Sequence, residues 1–105
     1  MADRIDTIRK MLEKSPDDVF LHYSLAMELC SLSQGGQAMA EFARCLELDS
    51  LFLPAYIEGG KCLRSAGRLQ EARKMFEKGL KLAAQQGQAH VRDHIQQQLE
   101  SLPRE

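Results

Sequence analysis

Residues 19–52, VFLHYSLAMELCSLSQGGQAMAEFARCLELDSLF, and residues 53–86, LPAYIEGGKCLRSAGRLQEARKMFEKGLKLAAQQ, read as two copies of one unit. Set one above the other, they place His22 on Tyr56, Leu29 on Leu63, Ala38 on Ala72, Phe42 on Phe76 and Leu48 on Leu82, each pair 34 residues apart. A fixed period of this length marks a repeat array, in which each unit buries its apolar side only against a neighbour. Apolar residues return at helical spacing within each unit. Ala, Leu, Glu, Gln, Lys, Arg and Met outweigh β-branched residues, so the unit is built of helices and not of strands.

The turn residues divide the chain into six helices. Residues 3–14 carry Ile5, Ile8 and Leu12 on one face with Met11 beside them. They stop at Ser15-Pro16, because proline disfavours the helical conformation of the residue before it. Asp17 and Asp18 then offer carboxylates to the free N–H groups of a second helix, expected over about 18–32. Ser33-Gln34-Gly35-Gly36 reads as a turn in which the paired glycines supply positive φ angles, followed by a third helix over about 37–48. A fourth starts near Leu53-Pro54, where proline suits a first turn, and ends near Ser65-Ala66-Gly67. A fifth covers about 69–84 and is broken by Gly87; a sixth runs over about 88–102 before Pro103. Ile8 and Met11 fall 34 residues before Phe42 and Cys45, so the first helix reads as the second half of a truncated earlier unit.

With 105 residues, 44% apolar and 28% charged, the chain has room for one core and a single domain. Its net charge of −1 gives bulk electrostatics no pull toward nucleic acid or an anionic membrane. No run of 18 apolar residues occurs, and the opening MADRIDTIRK is too charged for a secretory signal, so a cytoplasmic location is expected. Cys30, Cys45 and Cys62 are an odd number of cysteines without a CxxC pair, which reads as reduced thiols and not as a disulfide frame or a zinc module.

These residues resemble the tetratricopeptide repeat family, whose 34-residue unit has the pattern W-x2-L-G-x2-Y, then A-x3-F, then P. The first unit supplies His22, Leu25, Ala26 and Leu29, then Ala38 and Phe42, with Ser50 at the proline position. The second supplies Tyr56, Gly59, Gly60 and Leu63, then Ala72 and Phe76, with Ala84 at that position. The resemblance implies an all-α, right-handed solenoid: a half-repeat helix within 1–16, hairpins over 19–52 and 53–86, and a capping helix within 87–105. It also implies that Ala26 and Gly60 let paired helices approach, that Ala38 and Ala72 do so between units, and that Phe42 and Phe76 fill the gaps between hairpins. His22 and Tyr56 stand where tryptophan is usual, and Gly59 where leucine is. In the sixth helix strict register would bury His90, Asp93, His94 and Gln97, so the stripe Val91, Ile95, Leu99 and Leu102 is the expected buried side.

Motifs that suggest chemistry fare worse than their packing explanations. His90 and His94 share a helix face with Asp93, but HVRDH lacks the glutamate of HExxH and a third ligand, so a solvated cap surface is expected. Glu58-Gly59-Gly60-Lys61-Cys62 lacks the earlier glycine and the Ser or Thr of a phosphate-binding loop and falls inside a helix. Cys45 sits where a small buried residue is usual, which does not suit a catalytic thiol. No nucleophile, base and orienting acid stand at an informative spacing, so no enzyme activity and no cofactor are expected.

Charge is uneven along the chain. Residues 13–58 hold eight acidic against two basic side chains, a balance of −6, and residues 61–81 hold seven basic against two acidic, a balance of +5. Two solvated faces explain this; an acidic ligand, RNA, or head-to-tail self-association are the functional alternatives, RNA being disfavoured because no aromatics interleave with the basic residues.

Beside the core stripe of the second helix, Phe20, Tyr23, Met27 and Cys30 form another on the adjacent face, and the positions 34 later are Pro54, Ile57, Lys61 and Arg64. In the family the first helix of each hairpin lines the concave surface that takes peptides or partner helices. The resemblance therefore implies a groove floored by Phe20, Tyr23, Met27, Cys30 and Ile57 and rimmed by Lys61 and Arg64, suited to an apolar protein segment carrying acidic residues. The alternatives are that the stripe is a homodimer interface, making the chain a weak homodimer and not a monomer, or that the sixth helix folds back over Tyr23 and Met27. The family's best-known ligand mode, a lysine and asparagine clamp on a C-terminal carboxylate, lacks its residues, since Tyr23 and Met27 occupy the matching positions.

Overall fold

The computed structural model describes residues 3–104 and resolves six helices: α1 (Arg4–Lys14), α2 (Val19–Ser31), α3 (Gly35–Leu48), α4 (Leu53–Ser65), α5 (Leu69–Gln85) and α6 (Ala89–Ser101). Their starts follow from local chemistry. Asp3 accepts a hydrogen bond from the Asp6 N–H at 2.9 Å, and Asp18 accepts from the N–H groups of Phe20 at 2.9 Å and Leu21 at 3.2 Å. Each carboxylate satisfies donors that a helix start leaves free. α4 carries Pro54 in its first turn, where the missing donor is no loss.

Three helices end in the same way. The N–H groups of Ser33 and Gln34 close onto the carbonyls of Cys30 and Leu29; Gly67 and Arg68 repeat this on Arg64 and Leu63, and Gly87 and Gln88 on Ala84 and Ala83. The pattern requires a left-handed residue, and φ is +60° at Ser33, +77° at Gly67 and +69° at Gly87. The expected turn at Gly35-Gly36 is thus corrected. Ser33 makes the reversal, completing it before the glycines are reached, and both glycines join the first turn of α3.

α2 pairs with α3 and α4 with α5 as hairpins; α1 packs against α2, α3 against α4, and α6 against α5. The stack measures 41 × 29 × 19 Å. One core gathers Ile5, Leu25, Ala26, Leu29, Ala38, Phe42, Cys45, Ala55 and Cys62, and a second gathers Leu53, Leu63, Ala72, Phe76, Leu82, Ala83, Ile95 and Leu102; Met39 packs against both. Phe42 and Phe76 are wholly buried. A Cβ on Gly60 would lie 2.5 Å from the Phe76 ring, so the glycine sets how closely α4 meets α5, and one on Gly59 would lie 2.7 Å from the Met75 methyl. Met75 therefore reaches into the space that a leucine at 59 would take. Its partner one repeat earlier, Glu41, serves His22 instead: the imidazole Nδ1 is 2.7 Å from Glu41 Oε1 and Nε2 is 2.7 Å from the Pro16 carbonyl. His22, expected in the core stripe, is half-buried and tied by polar contacts at its margin.

α6 buries Ile95, half-buries Val91 and Leu99, and leaves His90, Asp93, His94 and Gln97 exposed, and Leu102 just past its end is buried. The register change has a simple origin. α3 ends at Leu48, the partner of Leu82, but α5 continues to Gln85, and α6 begins at Ala89 where strict repetition from Leu53 would start it at 87. At the opposite end, Arg4, Ile8 and Met11 of α1 correspond to the buried Ala38, Phe42 and Cys45. There α1 leaves Met11 52% exposed beside a shallow cavity of about 410 Å³ that Ile8 and Leu21 also line.

Candidate functional site

The first helices α2 and α4 follow α1 and α3 respectively, and α6 follows α5 in the same sense, so these three present successive positions along one side of the stack. Phe20, at the start of α2, is 67% exposed. Its ring meets Phe52 edge to face, with centroids 5.6 Å apart and planes at 84°. Tyr23, one turn on, meets Phe52 at 5.4 Å and Phe42 at 6.2 Å in similar edge contacts. Such geometry sets the positive edge of one ring against the negative face of another. Burial is the main cause that raises the Tyr23 hydroxyl above its ordinary pKa, with the Glu58 carboxylate adding to it. Met27 is exposed, whereas Cys30 is half-buried on the first core and faces the Cys62 thiol. The stripe therefore grades from an open aromatic end to a closed thiol end.

On α4, Ile57 is half-buried on the second core. Lys61 Nζ lies 3.5 Å from Glu58, and the Arg64 guanidinium donates to the Gln98 side chain of α6 at 2.5 Å. Of the two expected rim cations, Lys61 is thus half neutralised by its own helix, and Arg64 keeps its charge while bridging to α6. α6 lies against α5, and both Phe20 and Met27 remain exposed, so the alternative in which α6 folds back over the α2 stripe does not hold.

Beside the α2 and α4 stripe lie further apolar residues outside the helical periodicity. A cavity of about 290 Å³ beyond Phe52 is lined by Leu51, Pro54, Ile57 and Val91, with Asp49, Gln86 and Gln88 at its polar edge. Leu51 is 63% exposed. Its carbonyl accepts from Gln86 at 3.2 Å, which fixes the loop between α3 and α4 to the end of α5. Phe52 and Leu51 belong to the connection between units and carry no helical periodicity. Val91 and Gln98, however, stand 34 residues after Ile57 and Arg64, so one more step of the period finds them.

The remaining candidate sites are explained by packing. Gly59 and Gly60 lie inside α4 against Met75 and Phe76. Cys45 is fully buried and its thiol is pushed up to about 11, by burial and then by the Glu41 charge. Among the described residues no three His, Cys, Asp or Glu side chains gather as metal ligands do, and no helix is long and apolar enough to cross a membrane.

No protein-family model matches the chain. A TPR repeat-containing protein of Pseudomonas aeruginosa is 31% identical over 83 residues, which is 79% of this chain and 79% of that one. The solution structure of a Bordetella parapertussis protein superimposes with a TM-score of 0.83 at 25% identity, covering 95% of this chain and 87% of that one. The TPR2B domain of yeast Sti1, solved as a complex with pHsp70, gives a TM-score of 0.84 at 19% identity over 91% of this chain and 77% of that chain. The repeat period, the hairpin stack and the relative of equal extent agree: the chain belongs to the tetratricopeptide repeat family, whose fold supports a protein–protein interaction module.

Proposed function

We propose that the chain is a non-enzymatic interaction module that holds an apolar peptide or a partner helix along α2, α4 and α6. The carrying observation is the uncovered stripe on α2, where Phe20 and Met27 remain exposed on an element whose other side is already core. Exposed aromatic and methionine side chains beside a concave, half-buried floor are the usual material of a binding hot spot. Phe20, Tyr23, Met27, Cys30 and Ile57 form the floor, with Phe52 and Val91 extending it, and Arg64 with Lys61 forms the cationic edge that suits carboxylates on the ligand. The three free thiols fit the reducing cytoplasm as its place of work.

The test uses the two exposed positions, because Tyr23 also packs on Phe42 and its truncation would disturb the fold. Partners are captured from the native source on immobilised wild-type protein and then measured singly. Phe20→Ala and Met27→Ala should each weaken binding by about 1 to 3 kcal/mol, mainly through faster dissociation; Met27→Ala should leave the melting temperature unchanged, and Phe20→Ala should lower it only slightly through the lost edge contact with Phe52. Arg64→Glu should slow association and lose its effect as salt is raised, and Lys61→Glu should do so less. Sedimentation checks the homodimer reading: a dimer that Met27→Glu dissociates, with hetero-partners still held, would replace the present one.

A further inference from the structure

Away from the groove, the second helices of the hairpins enclose a furrow. Two adjoining cavities of about 290 and 160 Å³ share Met39, Leu63 and Arg68, so they form one depression between α3 and α5. Its floor is Met39, Leu63 and Met75, and Gly35, Gly36 and Ala66 keep one end shallow and free of bulk. Depressions of this size are small for a metabolite but take one or two aliphatic side chains. Methionine pairs suit such a role because the thioether repacks around different shapes.

The rim is cationic, and two of its three cations are left without an ion pair among the described residues. Arg68 is bidentate on Glu71, which leaves that pair neutral. Lys74 and Lys78 line the furrow from α5 and make no ion pair among the described residues; nor do Arg73 and Lys81 on the same helix. In the acidic stretch of the chain Asp17, Glu28 and Glu58 pair with Arg44, Arg4 and Lys61 and Glu41 meets His22, while Glu13, Asp18, Glu47 and Asp49 make no ion pair among the described residues. The furrow's lining contains no aromatic side chain on which bases could stack, which disfavours single-stranded nucleic acid. An apolar floor beneath unpaired lysines matches an acidic protein segment with aliphatic anchors.

We propose that the furrow between α3 and α5 is a second docking surface, independent of the groove on the first helices, that takes an acidic peptide segment anchored by one or two aliphatic side chains. The probe is a fluorescein-labelled peptide of Asp and Glu with two leucines four residues apart, followed by anisotropy and by amide chemical shifts of the full chain. Saturable binding should perturb Gly36, Met39, Met75 and Lys78. Lys74→Glu combined with Lys78→Glu, both exposed, should weaken it at least about tenfold without lowering the melting temperature. Replacing the leucines by serine should weaken it as strongly. Met27→Glu should leave it within about twofold, which separates this surface from the groove whether or not the groove reading survives. Equal affinity for the serine peptide, shifts confined to Tyr23, Met27 and Ile57, equal binding of an oligouridylate at the same residues, or absence of saturation would each overturn the proposal. Self-association through this furrow would also overturn it and would show as concentration-dependent sedimentation that Lys74→Glu with Lys78→Glu abolishes.

Discussion

Gly36, Gly59 and Gly60 all lie within helices, yet a methyl group would meet a different environment at each. At Gly36 nothing lies within 4 Å, so Gly36→Ala should raise stability by about 0.5 to 1 kcal/mol through reduced backbone freedom of the unfolded chain. At Gly59 the obstacle is the end of the flexible Met75 chain, and the same change should be nearly neutral. At Gly60 it is the wholly buried Phe76 ring, and Gly60→Ala should destabilise by about 1 to 3 kcal/mol. Urea midpoints measured at constant slope rank the three. Ser33 poses the reverse problem. It holds the left-handed position that Gly67 fills one repeat later, at φ +60°, so Ser33→Gly should stabilise by about 1 kcal/mol, and an unchanged or lower midpoint would contradict that account.

Among the elements, the hairpins depend on their aromatic plugs. Phe76 is fully buried between α4, α5 and the following helix, so Phe76→Ala should destabilise by about 3 to 5 kcal/mol, read from the denaturation midpoint; a change below about 1 kcal/mol would misplace the second core. Helix number and order were legible in the sequence because periodicity and turn chemistry are local. The start of α3 was not, because Ser33 adopted a backbone that sequence assigns to glycine. The α6 stripe was legible from its own apolar spacing, while the cause of its shift, three further residues of α5 after Leu82, depends on how the helices stack. For the proposed groove, the placement of Phe20, Tyr23 and Met27 on α2 and of Ile57 on α4 could be read from the repeat. The half-burial of Tyr23 could not, since Phe52 comes from a connection whose path only the packed units define.

For the whole molecule, the thiols govern behaviour in alkali. Burial pushes Cys45 up to about 11 and Cys62 up to about 12, Cys62 being further raised by Cys30, and Tyr23 shifts the same way. A raised folded pKa means that the contribution of these neutral groups is complete below the unfolded value of about 8.5 for cysteine. As pH climbs from about 9 toward 11 the unfolded chain releases protons that the folded chain keeps, so stability must fall. Melting temperatures across that range should drop, and Cys45→Ala should flatten the slope. At neutral pH iodoacetamide should modify Cys30 first, leaving Cys45 and Cys62 until the chain unfolds. The two ends of the stack differ in another way. α6 turns Arg92, Asp93, Gln96 and Glu100 outward, while α1 leaves Met11 uncovered where its counterpart Cys45 is sealed. The array therefore has a direction of growth: a further helical hairpin fused ahead of Arg4 finds a template to continue, and one fused after Pro103 meets a finished, hydrated wall.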